Sequence, residues 1–372
     1  MKKFNISHAS SLPLHLQLLD ELRHQIKNDL LKPHDRLPGE WELVETLNIS
    51  RATIQRAWQA AQDEGLIYRV TGKGTFVAEP PVATERETIG FFIPEYRGTF
   101  AVHMLNGAER VMRQHGYRVH FASTDRNLDE ENRLLRQLQN DGASGCIMVP
   151  SHSGLNGRLL GSPDLKLPIV LMDRPINGIV LPCVSSNNYD GGLQAVTHLT
   201  GLGHRDILFL ARPHLDLWSV SERYRAYQDT MNSMQIEARP PFLMGSNREL
   251  SSYEAYLHPD DSDIQPLIDL LKSSDRPTAI FAVNDWIALK AQRAIALAGL
   301  RNPQDISLIG FDDLDIAQYQ TPPLTTIAQN AALIGAEAAR RLITLIQGEQ
   351  VDSILTLVPT RLVVRGSTAP PA

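Results

Sequence analysis

The chain has 372 residues, 42% of them hydrophobic, with 36 lysines and arginines against 42 aspartates and glutamates and a formal net charge of −6. That length exceeds one ordinary core and predicts two or three domains. The composition excludes a disordered or disulfide-stapled chain, and no apolar run approaches the roughly 20 residues that span a bilayer.

No apolar segment follows Lys2 and Lys3, as a secretory signal requires. Cys146 and Cys183 lack the spacing of a zinc site or disulfide framework and sit in apolar, strand-like runs. They point to buried free thiols and a reducing cytoplasm. Charge is uneven: residues 1–78 carry net +1 and the remainder −7. Within residues 49–78 the cations Arg51, Arg56, Arg69 and Lys73 face only Asp63 and Glu64.

Leu12, Leu16, Leu19, Leu22, Ile26 and Leu30 form a helical stripe over residues 12–30. Pro33 and Pro38 break the next stretch into a loop. Residues 40–47 read as a short helix with Leu43, Val44 and Leu47 inward, and Asn48 suits a left-handed cap. Ser50 suits the N-cap of a helix running to about Glu64. Ile54, Ala57, Trp58 and Ala61 mark its buried face. Arg51, Thr53, Gln55 and Arg56 supply groups that suit phosphates and base edges. Gly65 ends it. Strand-like runs at 66–70 and 75–78 flank Thr71-Gly72-Lys73-Gly74, a hairpin tip.

Helix, helix, tight turn, helix and hairpin make an N-terminal winged helix-turn-helix of α+β class. Leu37-Pro38-Gly39-Glu40, Ser50-Arg51-Ala52-Thr53-Ile54, Glu64-Gly65-Leu66-Ile67 and Gly72-Lys73-Gly74-Thr75-Phe76-Val77 resemble the successive signatures of GntR-type DNA-binding domains. The resemblance implies that the third helix enters a major groove by its N-terminal end. Arg51, Gln55 and Arg56 would meet phosphates or purine edges, and Ser50 and Thr53 phosphates. Arg36 and the wing tip, Thr71, Gly72 and Lys73, complete the implied DNA contacts. One departure stands out: Trp41 occupies a position where members often carry arginine. The wing block lacks the Lys-Ser/Thr ending of a nucleotide-binding loop.

Residues 79–87, with Pro80 and Pro81, read as a linker. From Thr88 apolar runs alternate with helical stretches. The runs fall at 89–93, 117–122, 145–149, 168–172, 207–211, 279–283 and 307–311, with helices near 100–115, 128–141, 191–200 and 286–297. This rhythm means βαβ units and parallel sheet, an α/β domain in two lobes over 88–366, with 367–372 left as a tail.

Val170-Leu171-Met172-Asp173-Arg174-Pro175, the block from Val184 to Gly192, Gly203-His204-Arg205, Arg223-Tyr224-Arg225-Ala226-Tyr227 and Ala282-Val283-Asn284-Asp285 follow in order. Ile309-Gly310-Phe311-Asp312-Asp313, Pro323-Leu324-Thr325-Thr326-Ile327 and Gly335 complete the series. Together they resemble the effector-binding and dimerisation domain of LacI/GalR regulators, which is similar to periplasmic sugar-binding proteins. A GntR-type reader joined to a LacI-type sensor resembles the arabinose-repressor group. The resemblance implies a homodimer through the C-terminal domain, bound to double-stranded operator DNA, with a mono- or oligosaccharide between the lobes.

Sugar recognition needs paired donors and acceptors for adjacent hydroxyls and an apolar plate for a ring face. Arg223 offers a planar fork of donors. Asp285, at the end of an apolar strand, is its acceptor counterpart, although alone it serves equally as a helix N-cap. The family's pocket, carried over by position, adds Phe100 as the plate, Arg174, Asn247 and Gln329. Relatives commonly have an aromatic at Asn247, which Trp218 could replace here, and glycine at Ala226.

No metal, cofactor or catalytic pattern emerges. His198 and His204 lack one-turn metal spacing, and Asp260-Asp261 and Asp312-Asp313 have no histidine beside them. The expectation is a cytoplasmic DNA-binding repressor of carbohydrate genes, not an enzyme. The rivals are the same regulator with a purine or other metabolite as corepressor, a transport receptor, and a fused aminotransferase-like enzyme.

Overall fold

Leu18, Leu19 and Leu22 turn the first helix, α1 (Leu14–Lys27), onto a small core, none more than 3% exposed. The buried stripe is shifted from the expected one. Leu12 lies before the helix and Leu30 after it, both are exposed, and Leu16 faces solvent. A run this rich in leucine offers two helical faces, and only packing decides between them. Helices α2 (Glu40–Leu47) and α3 (Arg51–Asp63) meet through Asn48, whose φ of 52° turns the chain tightly. Ile54, Ala57, Trp58 and Ala61 are at most 1% exposed, and Phe4 sets its ring edge against Trp58 at 6.1 Å. Strands β1 (Ile67–Val70) and β2 (Gly74–Val77) pair antiparallel, and Arg36 bridges to Phe76 beside them. This is a winged helix-turn-helix.

The computed structural model describes residues 4, 6–7, 12–28, 30–70, 73–78, 87–95, 99–151, 157–213, 215–245 and 263–372. The chain divides into two units, residues 1–86 and 87–372. Of the expected linker only Glu87 is described. Its backbone oxygen accepts from Arg118 and its carboxylate from Ser144.

The second unit holds two six-stranded sheets. The first is built from β3 (Thr88–Ile93), β4 (Arg118–Ser123), β5 (Gly145–Met148), β6 (Ile169–Met172), β7 (Cys183–Ser186) and β13 (Leu355–Val358). Its order is β13-β7-β6-β5-β3-β4, all parallel. The second is built from β8 (Ile207–Ala211), β9 (Phe242–Leu243), β10 (Ala279–Ala282), β11 (Ser307–Asp312), β12 (Thr325–Ala328) and β14 (Arg361–Val363). Its order is β14-β12-β11-β10-β8-β9, with β14 antiparallel. The central strands are apolar and buried throughout, as parallel sheet covered on both faces requires.

Helices α4 (Thr99–Gln114), α5 (Leu128–Asn140), α6 (Gly157–Leu160) and α11 (Ala331–Ile346) belong to the first lobe. The second carries α7 (Asn188–Gly201), α8 (Trp218–Ser233), α9 (Gln265–Lys272) and α10 (Asp285–Leu297). The chain crosses between lobes after β7, after β12 and between β13 and β14. Gly107 and Gly335 let α4 and α11 touch backbone to backbone. A Cβ on either would stand 2.0 or 1.9 Å from the facing carbonyl oxygen.

Residues 367–372 are not a loose tail. Ser367 is fully buried. Thr325 N–H donates to its Oγ at 2.8 Å, and that hydroxyl donates to Leu308 O at 2.6 Å. His204 Nε2 reaches Ala369 O at 2.8 Å. The small side chains and prolines of this segment concealed bonds that close the ends of β11 and β12.

Candidate functional site

In the first unit Ser50 caps α3, accepting from Thr53 N–H at 3.2 Å. The capped N-terminus carries the positive end of the helix dipole, which suits a phosphate. Arg51, Gln55 and Arg56 are exposed around it. Glu40, the first residue of α2, collects the neighbouring donors. Its Oε2 accepts from Arg51 Nε at 2.8 Å and Gln55 Nε2 at 3.2 Å, and its Oε1 from Arg69 Nη2 at 3.2 Å. The Arg51 hydrogen bond, above all, holds the Glu40 carboxyl below its ordinary range. Arg51 also lies over the Trp41 indole, 5.3 Å from its centroid. Exposed pairs of this kind contribute about 0–1 kcal/mol each, so a phosphate can replace the carboxylate at small cost. Arg36 is exposed beside the wing, where a Cβ on Gly74 would stand 3.1 Å from its Nε. Lys73 is exposed at the tip, while Thr71 and Gly72 lie outside the described residues.

In the second unit the carboxyl ends of the strands converge, where ligands bind in open α/β sheets. One cavity of about 280 Å³ lies there. Its wall includes Ile93 at the end of β3, Arg174 after β6, Arg212 after β8, Val283 after β10, Asp312 at the end of β11 and Gln329 after β12. Phe100 from α4 and Trp286 from α10 add aromatic surface.

Arg223 is 5% exposed. Its Nε donates to Asn188 Oδ1 at 2.9 Å and its Nη1 to Val283 O at 2.7 Å. Its guanidinium carbon stands 3.7 Å from the Phe311 ring centroid, and Asp312 Oδ1 is 3.9 Å from Nη1. Burial raises the Asp312 carboxyl above its ordinary range, opposed by Arg223 and by Gln329 Nε2, which donates to it at 2.6 Å. Arg174 Nε lies 3.4 Å from Asp173 Oδ2, an ion pair without hydrogen-bond geometry. Among the described residues neither Arg174 Nε nor Gln329 Oε1 has a hydrogen-bonding partner. Both residues line the cavity, and these two unmatched atoms are themselves buried.

Phe100, Arg174, Arg223 and Gln329 thus come together, and Asn247 lies outside the described residues. Asp285 does not line the cavity. It is fully buried behind it, where Oδ1 accepts from Thr326 Oγ1 at 2.6 Å and Oδ2 from Leu314 N–H at 2.8 Å. Gly310 makes room: a Cβ there would stand 2.2 Å from Asp285 Oδ1. Nor is Asp285 the N-cap, since Asn284 Oδ1 accepts from Ile287 N–H at 3.0 Å. Burial, and after it the Asp312 charge, raise the Asp285 carboxyl above its ordinary range. The sequence reading also missed Asp312 and Arg212, each at a strand's carboxyl end, where polar residues after apolar runs were the available signal. Trp286 adds a second aromatic surface to the wall, and Trp218 is not among the residues that line it.

Residues 14–77 match the family described as bacterial regulatory proteins, gntR family, and residues 196–368 match a periplasmic binding protein-like domain. The arabinose metabolism transcriptional repressor of Geobacillus stearothermophilus is 30% identical over 367 residues, covering 96% of this chain and 98% of that one. The HTH-type transcriptional repressor PurR of Aliivibrio salmonicida is 28% identical over 321 residues, 86% of this chain and 91% of its own. Among solved structures, the dimeric Lac repressor with an 11-residue C-terminal deletion superposes with a TM-score of 0.66 at 26% identity, over 77% of this chain and all of that one. A LacI family transcriptional regulator from Enterococcus faecium with bound ribose gives 0.62 at 25% identity, over 76% of this chain and 99% of that one. The Geobacillus relative runs through both units, and the chain belongs to its family, transcriptional repressors that join a gntR-type winged helix to a periplasmic-binding-protein-like domain.

Proposed function

We infer that this protein is a cytoplasmic repressor that binds a two-fold-related operator as a homodimer and is switched by a small sugar in the cavity of its second unit. Reading of DNA falls to Ser50, Arg51, Thr53, Gln55 and Arg56 at the start of α3, with Arg36, Thr71, Gly72 and Lys73 at the wing. Arg174, Arg223 and Gln329 address ligand hydroxyls, and Phe100 takes a ring face. Asn247 is retained as a contact on the family resemblance alone. Asp285 fixes the cavity wall from behind. Ligand and DNA are coupled because a ligand shifts an equilibrium by its differential affinity for two states.

One observation carries the effector reading: Arg174, Arg223, Asp312 and Gln329 line one cavity with the aromatic rings of Phe100 and Trp286, polar groups and an apolar plate together. At about 280 Å³ it sits at the small end of ligand pockets and favours a monosaccharide over an oligosaccharide. The bound ribose of the Enterococcus faecium regulator agrees with this class. The two aromatic side chains in the wall, Phe100 and Trp286, favour a second reading, a planar purine or other metabolite stacked on a ring.

The test is fluorescence anisotropy of the full-length protein with DNA from upstream of its own gene, at several salt concentrations. Sequence-preferring, salt-dependent binding that a pentose or hexose alters supports the reading. Binding altered by a purine base and by no sugar supports the second. Absence of sequence preference sinks both.

A further inference from the structure

Behind the cavity a run of buried hydrogen bonds joins one wall to the other. Asp173 and Arg223 both line the cavity. Asp173 follows β6 in the first lobe, and Arg223 lies on α8 in the second. Ser185 Oγ, on β7, donates to Asp173 O at 2.5 Å. Asn188 Nδ2 donates to Ser186 O at 3.1 Å and reaches Ser185 Oγ at 3.4 Å, while its Oδ1 accepts from Arg223 Nε at 2.9 Å. Ser185, Ser186 and Asn188 are at most 1% exposed, and none of the three lines the cavity. Here the chain leaves β7 for α7, a crossing between the lobes. The next turn is packed without clearance. A Cβ on Gly192 would stand 3.2 Å from Arg223 Cα, and one on Gly191 2.7 Å from the Phe311 ring on which the Arg223 guanidinium lies. Close packing transmits displacement, so a shift of Arg223 reaches the start of α7 by contact as well as by hydrogen bond.

We propose that Asn188 is a positioning residue for the response to effector: it ties the angle of the lobe crossing to Arg223, so that a ligand held between the two walls turns one lobe on the other. The proposal rests on reading the cavity as the effector site and adds the route of its regulation. A ligand that engages Arg174 in the first lobe and Arg223 in the second draws on both ends of the run. Hinges absorb such a change in a few residues at the ends of elements, and Ser186, Asn187 and Asn188 hold that place. A buried donor or acceptor left unmatched is costly, so the bonds move with the lobes rather than open. A carboxamide suits the task because it donates and accepts at once. Its donor holds the crossing and its acceptor holds the arginine. Asn188 itself meets no ligand atom and acts through Arg223.

The experiment measures operator affinity of the full-length protein with and without saturating D-ribose, D-xylose, L-arabinose, D-glucose or adenine. Asn188→Asp keeps the acceptor for Arg223 and loses the donor to Ser186. Ser185→Ala removes the bond to Asp173 and leaves Asn188 on Arg223. The probe that acts on the wild type should change its operator affinity about tenfold, and that of either variant less than about threefold. Probe affinity of the DNA-free variants, by calorimetry, should stay within about threefold of wild type. By reciprocity, the probe's affinities for free and operator-bound protein should converge in the variants. Thr230→Ala removes a buried hydroxyl from α8 outside this run, and it should lower stability while keeping the full response. The proposal is overturned if the variants respond as the wild type does, or if Thr230→Ala loses the response as they do. It is equally overturned if the variants lose probe affinity and, once saturated, respond in full, since Asn188 would then serve only to build the cavity. Should Asn188→Asp fold poorly, Ser185→Ala decides alone. A full response in the variants leaves the proposed function standing. If no probe acts on the wild type while DNA binding persists, the effector reading falls together with this one.

Discussion

The two functional regions hold their arginines in opposite ways. Arg51 and Arg69 are 53% and 44% exposed and lean on one carboxylate, Glu40. Arg174, Arg212 and Arg223 are at most 8% exposed. On the surface a cation keeps most of its hydration, so exchanging Glu40 for a phosphate changes little in stability. In the cavity a cation lost its water when the chain folded, and the fold had to supply partners in advance. Recognition and stability are therefore separable in the winged helix and fused in the effector unit.

The largest expected effect tests that fusion. Arg223→Ala strands Asn188 Oδ1, the Val283 carbonyl and the Asp312 carboxylate. It should cost about 3–5 kcal/mol, the range for breaking a buried pair from one side, read by urea unfolding of the full-length protein. A loss below about 1 kcal/mol would break the comparison. Next in size is Arg51→Ala. DNA affinity should fall by about 10- to 100-fold, or 1–3 kcal/mol, while unfolding shifts by no more than about 0.5 kcal/mol. A drop in the salt slope by about one would assign Arg51 to a phosphate, and lost preference at one base pair would assign it to a base edge.

The sequence carried the architecture further than the cavity. Ile54, Ala57, Trp58 and Ala61 keep helical step, and Gly65 and Gly74 mark turns, so the winged helix was legible from local signals. So were the apolar strands, because parallel sheet buries both faces. Lobe assignment was not legible. Nothing in β13 or β14 says that one joins the first sheet and the next crosses to the second. The effector site was half legible for a related reason. Asp285 and Asp312 both follow apolar strands, and pattern alone cannot say which faces the cavity. The answer lies in Gly310, whose missing side chain admits Asp285 and turns its carboxylate to Thr326 and Leu314.

Trp41 gives a smaller effect and sharpens the surface half of the comparison. It is 66% exposed and lies beneath Arg51. A cation–π contact at an exposed site contributes about 0.5–1 kcal/mol. Trp41→Ala should therefore weaken operator binding only a few-fold, with unfolding unchanged within about 0.5 kcal/mol. Loss of stability instead would mean that the indole packs against the fold and that the surface is less independent than its exposure suggests.

The smallest effect is a pH dependence that should separate the units by their buried groups. His204 is 1% exposed, with Nε2 on Ala369 O at 2.8 Å and Nδ1 2.9 Å from Thr278 Oγ1. Burial lowers its pKa from the ordinary 6.5, against the weaker opposing pull of the Ala369 carbonyl. His198 is lowered too, by burial and by the charge His204 would carry. For such a group the unfolded chain takes the proton first. Its contribution to stability is complete above 6.5 and is lost as pH falls from there toward the folded value. Glu40 is also lowered, but from 4.5, so the winged helix loses that contribution only in stronger acid. Between about pH 7 and 5.5 the histidines take stability from this unit as pH falls, while Asp285 and Asp312, whose raised carboxyls take up protons in the folded state, add stability, so the histidine contribution is read as a difference between wild type and variant. His204→Gln can keep the bond to Ala369 without titrating, and it should make the slope of melting temperature against pH less positive than in the wild type. An unchanged slope would show that the C-terminal segment stays docked when His204 is charged, and would place the acid sensitivity of this unit elsewhere.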